Sequence, residues 1–232
     1  MGGMFMLLFL FSCLLSGEPE VPSTYSAEWV EVGFKKPPSK IIDSSVKIAM
    51  FSNGKEIGHG SGNYFAHAGR DFILTAAHVV NSKVTMKVTD GKKLVDMRVI
   101  YIDFINDIAI IVPEEPLETI VPMHWVLNKS KDLSGNKVYH SGFPSHYGKL
   151  LIKGMVSADN GDGIILQSFA LPGSSGSVVF DKHGRVIGVL SAVGLHMSQF
   201  SPYPSIQEDV VFISSVQHLN TKKIMEVLKC GE

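Results

Sequence analysis

The sequence predicts a mainly β protein: two sets of about six antiparallel strands followed by one helix. Three observations carry this. Short apolar runs with period-two alternation recur along most of the chain, separated by turn residues. No helical pattern alternates with them, which excludes a parallel βαβ sheet. A proline-rich break, Pro113 to Gly135, divides the runs into two groups. Strands in this arrangement close into two antiparallel barrels or sandwiches.

The first group reads VKIAMFS from Val46, GNYFAH from Gly62, DFILTA from Asp71, KVTMKVT from Lys83, LVDMRVIY from Leu94 and DIAIIV from Asp107. In Lys83 to Thr89 the residues Val84, Met86 and Val88 share one face. Ser52-Asn53-Gly54, His67-Ala68-Gly69 and Asp90-Gly91 supply turns. The break, containing PEEPLETIVP, is the crossing between the two halves. The second group reads KVYHSG from Lys137, LLIKGMVSA from Leu150, IILQSF from Ile164, SVVFD from Ser177, RVIGVLSAV from Arg185 and DVVFIS from Asp209. Asp181 to Gly184 joins two of these as a tight hairpin. The chain closes with Ser215 to Lys229, where Val216, Leu219, Ile224, Val227 and Leu228 approximate one helical face, and Ser214 or Ser215 is placed to cap it.

Composition bounds the function. The 232 residues are 45% hydrophobic and 19% charged, enough apolar material for a core. The net charge of −1 provides no basic field for nucleic acid. The only two cysteines, Cys13 and Cys230, offer no disulfide framework, and Cys230 reads as an incidental thiol. None of the nine histidines forms a spaced ligand cluster with carboxylates or cysteines, so neither metal nor cofactor is expected.

Met4 to Leu15 is apolar except for Ser12 and is too short to span a bilayer comfortably. With Ser16-Gly17 after it, it has the form of an export signal. Leu10 to Cys13 (LFSC) also resembles a lipoprotein box, so residues 1–17 are either cleaved or anchored to a membrane through Cys13, and the protein is expected to be exported. Residues 18–43, with EPEVPS and KKPPSK, read as a linker or arm. Residues 44–232 form the main domain, divided at about 44–115 and 134–232.

Chemistry concentrates at strand ends. LPGSSGSVVFD, Leu171 to Asp181, sets three serines among glycines directly against an apolar strand. A serine nucleophile needs a base, an orienting group for that base, and donors for the oxyanion. His78 follows a strand and three small residues in ILTAAHVV; alone, it also fits a core histidine bonded to a carbonyl. Asp107 precedes the apolar run Ile108 to Val112, where a carboxylate is costly without a partner; alone, it also fits a turn aspartate. Asp103, further from that run, is the rival acid and is expected to face solvent.

Together, His78, Asp107 and Ser175, in that order, resemble the trypsin/chymotrypsin-like serine peptidases. The likeness is nearest to their disulfide-free bacterial and viral branch, which includes the high-temperature-requirement proteases. Four ordered stretches carry it, beginning at Gly60 (GSGNYFAHAGRDFILTAAHVV), Asp96 (DMRVIYIDFINDIAIIV), Ser141 (SGFPSHYGKLLIKGMVSA) and Pro172 (PGSSGSVVFDKHGRVIGVLSA). The resemblance covers about Val46 to Leu228. It implies two six-stranded antiparallel β-barrels with a C-terminal helix and a serine endopeptidase acting on polypeptides.

By the same resemblance Ser175 is the nucleophile, His78 the general base and Asp107 its orienting acid. The backbone N–H groups of Gly173 and Ser175 form the oxyanion hole. Phe169 lies at the base of the specificity pocket, with Ser191, Ala192 and Val193 as its wall, which favours an apolar residue of modest size before the cut. Where many zymogens of the family have an acid before the nucleophile, this chain has Ser174. Lys40-Ile41-Ile42-Asp43 therefore has no partner for N-terminal insertion, and activation by that route is not expected. The high-temperature-requirement proteases usually add a peptide-binding domain after the peptidase. The residues beyond the last helix leave no room for one, so a chaperone-like role is not expected.

Two other readings compete. The order Ser, acid, His and the G-x-S-x-G spacing of an α/β-hydrolase are both absent. A two-barrel fold that binds peptides without cleaving them is the non-enzymatic alternative.

Overall fold

The computed structural model describes residues 39–80, 84–89, 91–161, 163–197 and 204–229. The N-terminal apolar segment, residues 18–38 of the arm and Cys230 lie outside the described residues.

The described residues begin with a short helix α1 (Ser39–Asp43). The first sheet contains β1 (Ser45–Ser52), β2 (Lys55–His67) and β3 (Arg70–Thr75), then the one-turn helix α2 (Ala77–Val80). β4 (Thr85–Thr89), β5 (Leu94–Asp103) and β6 (Ile108–Pro113) follow, with the two-residue β7 (Met123–His124) in the crossing segment. The strand order is β1-β4-β5-β6-β3-β2, and β1 also pairs with β2, closing a six-stranded barrel. β7 adds to β2 in parallel, Phe65 opposite Met123.

The second barrel contains β8 (Lys137–Gly142), β9 (Leu150–Asp159), β10 (Ile164–Gln167), β11 (Val178–Asp181), β12 (Val186–Met197) and β13 (Pro204–Ser215). It closes in the order β10-β13-β12-β11-β8-β9. The chain then forms a 3₁₀ turn, Val216–His218, and helix α3 (Thr221–Lys229).

Turn chemistry sets the hairpin registers. Asn53 and Gly54, both at positive φ (51° and 76°), make a two-residue turn between Ser52 and Lys55. Ala68 and Gly69 (50° and 77°) do the same between His67 and Arg70.

β11 belongs to both cores. Val178 and Phe180 pack into the cluster of the first barrel, while Val179, on the opposite face, packs into that of the second. Phe180 lies 6.1 Å from Phe65, and the Phe65 and Phe72 rings each meet Trp125 edge-on at 5.1 Å. This aromatic junction fixes the strand that follows Ser175 against barrel one. Each such ring pair adds about 1 kcal/mol beyond its area burial.

Three elements differ from the sequence expectation. β2 begins at Lys55, not Gly62. The terminal helix is in two pieces: Ser215 Oγ caps the 3₁₀ turn by accepting from Gln217 N, and Asn220 Oδ1 caps α3 by accepting from Lys223 N. The last residues of the stretch read as an arm form α1, with Ile41 fully buried. Asn63, also fully buried, holds α1 in place: its Nδ2 donates to Ile41 O (3.3 Å) and Ser44 Oγ (2.9 Å).

Candidate active site

His78 stands on α2, directly after β3. Ala76 and Ala77 are fully buried, so the turn packs tightly against the barrel. The His78 Nδ1 lies 2.8 and 3.0 Å from the two carboxylate oxygens of Asp107. The His78 backbone N–H donates to Asp107 Oδ1 at 2.9 Å. A carboxylate only accepts, so Nδ1 carries the proton and Nε2 is left as the basic nitrogen.

Asp107 ends the β5–β6 turn with φ 49°, a left-handed conformation that aspartate tolerates better than most side chains. Asp103 shapes that turn instead, accepting from the N–H groups of Ile105 and Asn106. Burial pushes the Asp107 carboxyl up. The hydrogen bonds and charge of His78, with the hydroxyl of Ser191, outweigh this and hold it below the usual carboxylate range.

Ser191 was expected in the pocket wall; its Oγ donates to Asp107 Oδ2. The β12–β13 register shifts between Leu190 and Ala192, so Ser191 sits at a bulge. A bulge beside a functional site re-aims a side chain, and here it turns Ser191 onto the acid. Ala192 and Val193 continue β12, opposite Phe212 and Val211. Phe169 is 37% exposed and follows Ser168, whose Oγ bonds the fully buried His140 Nε2 at 2.9 Å.

Ser175 is in the turn between Ala170 and β11. Its carbonyl accepts from Ser61 N at 2.8 Å. The next residue, Gly176, abuts the stretch just before His78: a Cβ there would lie 3.2 Å from Ala76 N and closer still to Thr75 Oγ1. A Cβ on Gly60 would touch both Val79 Cγ1 (2.6 Å) and Ser175 O (3.3 Å). The turn holding Ser175 therefore abuts Thr75 and Ala76 through Gly176, and Gly60 lies between Val79 and the Ser175 carbonyl. Among the described residues, Ser175 Oγ has no hydrogen-bond partner in this conformation.

The turn leaves two donors free. Ser174 N donates to Leu171 O and Gly176 N to Leu190 O. The N–H groups of Gly173 and Ser175 find no acceptor among the described residues. Gly173 has φ 94°, and a Cβ there would lie 2.6 Å from His59 Nε2, so both conformation and space require glycine. Ser174 is buried, and its Oγ accepts from Leu171 N.

The sequence reading missed the polar face of β2. Ser61 Oγ donates to Gly173 O (2.6 Å), and Asn63 Oδ1 accepts from Val178 N (3.0 Å). His59 Nε2 meets Phe143 O at 2.8 Å. The signal was present in GHGSGN: polar residues at alternate positions, separated by glycines, mark one face of a strand.

Among the described residues no group of three or more His, Cys, Asp or Glu could hold a metal ion, and no helix is long and apolar enough to cross a membrane.

Residues 60–189, more than half of the chain, match the family model of the trypsin-like peptidase domain. Among solved structures, the serine endoprotease from Yersinia pestis is similar with a TM-score of 0.62 at 20% identity, over 84% of this chain and 66% of that one. A serine-to-alanine mutant of Rv3671c from M. tuberculosis H37Rv, in an inactive form, is similar with a TM-score of 0.60 at 17% identity, over 84% of this chain and 91% of that one. This chain thus spans just under two thirds of the Yersinia protein. At these identities the likeness to the two structures is one of fold. No curated protein matches the chain. The double barrel agrees with the family match that spans both its halves: this chain belongs to the trypsin-like peptidase domain family.

Proposed function

We propose that the protein is a serine endopeptidase using His78, Asp107 and Ser175. The observation that carries this is the paired orientation of His78. Its Nδ1 is held by Asp107, so Nε2 is free to take a proton beside a serine whose own turn leaves two N–H groups unpaired.

In the reaction, His78 Nε2 removes the Ser175 hydroxyl proton as Oγ attacks the scissile carbonyl. The N–H groups of Gly173 and Ser175 stabilise the resulting oxyanion. Asp107 stabilises the imidazolium, which then protonates the leaving amine. Water enters, loses its proton to His78 and hydrolyses the acyl-enzyme, returning Ser175. The Ser175–His78 hydrogen bond forms when substrate binds, since such bonds tighten in the Michaelis complex.

Phe169, Ser191, Ala192 and Val193 line the pocket for the residue before the cut, and with no charged group among them they favour an apolar side chain of modest size. No cofactor takes part. Export through the N-terminal segment would place the enzyme among exported polypeptides.

The test is a diverse peptide pool incubated with the wild type and with Ser175→Ala, read by mass spectrometry. Cleavage after apolar residues, absent in the mutant, is expected. Cleavage by neither protein would favour a peptide-binding module, and a clear preference for Lys or Arg would overturn the pocket assignment.

A further inference from the structure

We propose that His59 is a positioning residue that sets the oxyanion peptide, acting through Phe143 and Ser145. The proposal rests on the reading of Gly173 N–H as an oxyanion donor. That N–H and the carbonyl of Pro172 belong to one planar trans peptide, so they point in opposite directions. Whatever fixes the carbonyl fixes the donor.

Among the described residues the carbonyl accepts one bond: Ser145 N donates to Pro172 O at 2.7 Å. Rotating this peptide to turn the donor away from substrate would break that bond. Ser145 has φ 49°, which is costly for serine and persists only where the surroundings impose it. Ser145 is the second residue of a turn closed by Tyr147 N donating to Pro144 O at 3.1 Å, and Phe143, directly before that turn, ties it to β2. The Phe143 N–H donates to Ser61 Oγ at 2.9 Å, and its carbonyl accepts from His59 Nε2 at 2.8 Å.

Both peptide planes flanking Gly173 are thus held from β2 of the other barrel. Ser61 holds one directly, through Gly173 O at 2.6 Å. His59 holds the other through the Phe143–Ser145 segment. His59 is suited to this task. Because a carbonyl only accepts, Nε2 must carry the proton. Burial lowers the ring's pKa and keeps it neutral at pH 7, while Nδ1 faces Glu56 Oε1 at 3.9 Å. Glu56 is itself paired with Lys47 at 2.6 Å.

The arrangement replaces what an acid before the nucleophile would do on pairing with a new N-terminus. Here that position is the buried Ser174, and the restraint reaches the loop from barrel one.

The test compares wild type, His59→Leu and His59→Gln in three measurements: kcat and KM on a peptide substrate, the inhibition constant of a peptide boronate, and the crystal structure. Losing one hydrogen bond of this kind shifts a conformational balance about tenfold. His59→Leu is expected to lose about tenfold in kcat and tenfold in boronate affinity, with KM within about twofold of wild type. His59→Gln, whose side-chain amide can donate to Phe143 O, should recover most of both. In crystals of His59→Leu the Ser145–Pro172 bond should be lost or partly occupied.

The proposal is overturned if His59→Leu matches wild type in kcat and boronate affinity, or if His59→Gln fails as badly as His59→Leu. A crystal structure of His59→Leu with the Gly173 N–H unmoved would also overturn it. Should His59→Leu not fold, His59→Asn, polar but too short to reach Phe143, takes its place. A wild-type protein inert to both substrate and boronate would refute the peptidase reading itself. The orientation of Gly173 in the variant crystals would then still decide the role of His59.

Discussion

Replacing Asp107 by asparagine separates orientation of the histidine from stability of the fold. The carboxylate accepts from the His78 backbone N–H at 2.9 Å on Oδ1, from Nδ1 at 2.8 Å on Oδ2, and from Ser191 Oγ. Asparagine retains one oxygen. With that oxygen on the backbone N–H, its NH₂ group faces Nδ1, which must then give up its proton. The proton moves to Nε2, which can no longer accept from Ser175. The same substitution in a catalytic triad of this type lowers kcat by about 10⁴, equivalent to about 5 kcal/mol of transition-state stabilisation. The fold should hardly notice. Asparagine tolerates the φ of 49° as well as aspartate does, and a neutral side chain is easier to bury. A change of about 1 kcal/mol, or about 3 °C in Tm for a domain of this size, is expected. Asp107→Ala loses every side-chain acceptor and should cost both activity and stability. The assay is kcat on a fluorogenic peptide beside a thermal melt. Asp107→Asn retaining more than about a tenth of wild-type kcat would refute the assigned role of Asp107.

Other predictions follow from single contacts. His140 is fully buried, and burial lowers its pKa to about 4, so the folded protein keeps it neutral while the unfolded chain protonates near 6.5. Between these values the unfolded state binds more protons. Stability should fall by about 3 kcal/mol as pH drops from 6.5 to 4, and His140→Leu should remove that share of the slope in denaturant titrations. His59, also lowered, adds loss of the same sign as pH falls below 6.5, whereas Asp107, held below 3.8, loses its contribution only at lower pH. Gly173→Ala places a Cβ against Phe143 O and His59 Nε2 at φ 94°; it should remain folded in far-UV spectra while kcat falls at least a hundredfold. Lys40→Gln should retain full activity, because Ile41 is already buried in the uncut chain and Lys40 O is bonded to Ser44 N. An obligatory cut after Lys40, seen as an inactive Lys40→Gln protein, would contradict this.

The strands of both barrels were legible because their signals are local. Period-two alternation and turn residues such as Asn53-Gly54 specify a hairpin without reference to the rest of the fold. The pairing of His78 with Asp107 was expected from the order of His78, Asp107 and Ser175 and the resemblance it carries, since each residue alone also fitted a core histidine or a turn aspartate. What was not legible depends on contacts distant in sequence. β2 looked like a loop before Gly62 because Gly58 and Gly60 alternate with His59 and Ser61. Gly60 leaves room for Val79 and the Ser175 carbonyl, and the side chains of His59 and Ser61 reach Phe143 O and Gly173 O of the second half. α1 is five residues long and owes its place to the buried Asn63, which no helix signal announces. The two residues of β7 pair only because β2 offers a free edge. The bond from Ser191 to Asp107 was not foreseen, because the bulge that turns the hydroxyl onto the acid leaves no trace in composition.

The most direct test of the central claim is covalent labelling with a peptidyl phosphonate, followed by peptide mapping. A single adduct on Ser175 is predicted, absent in Ser175→Ala and formed far more slowly in His78→Ala. No adduct, or labelling at another residue while Ser175→Ala still cleaves peptides, would contradict the account.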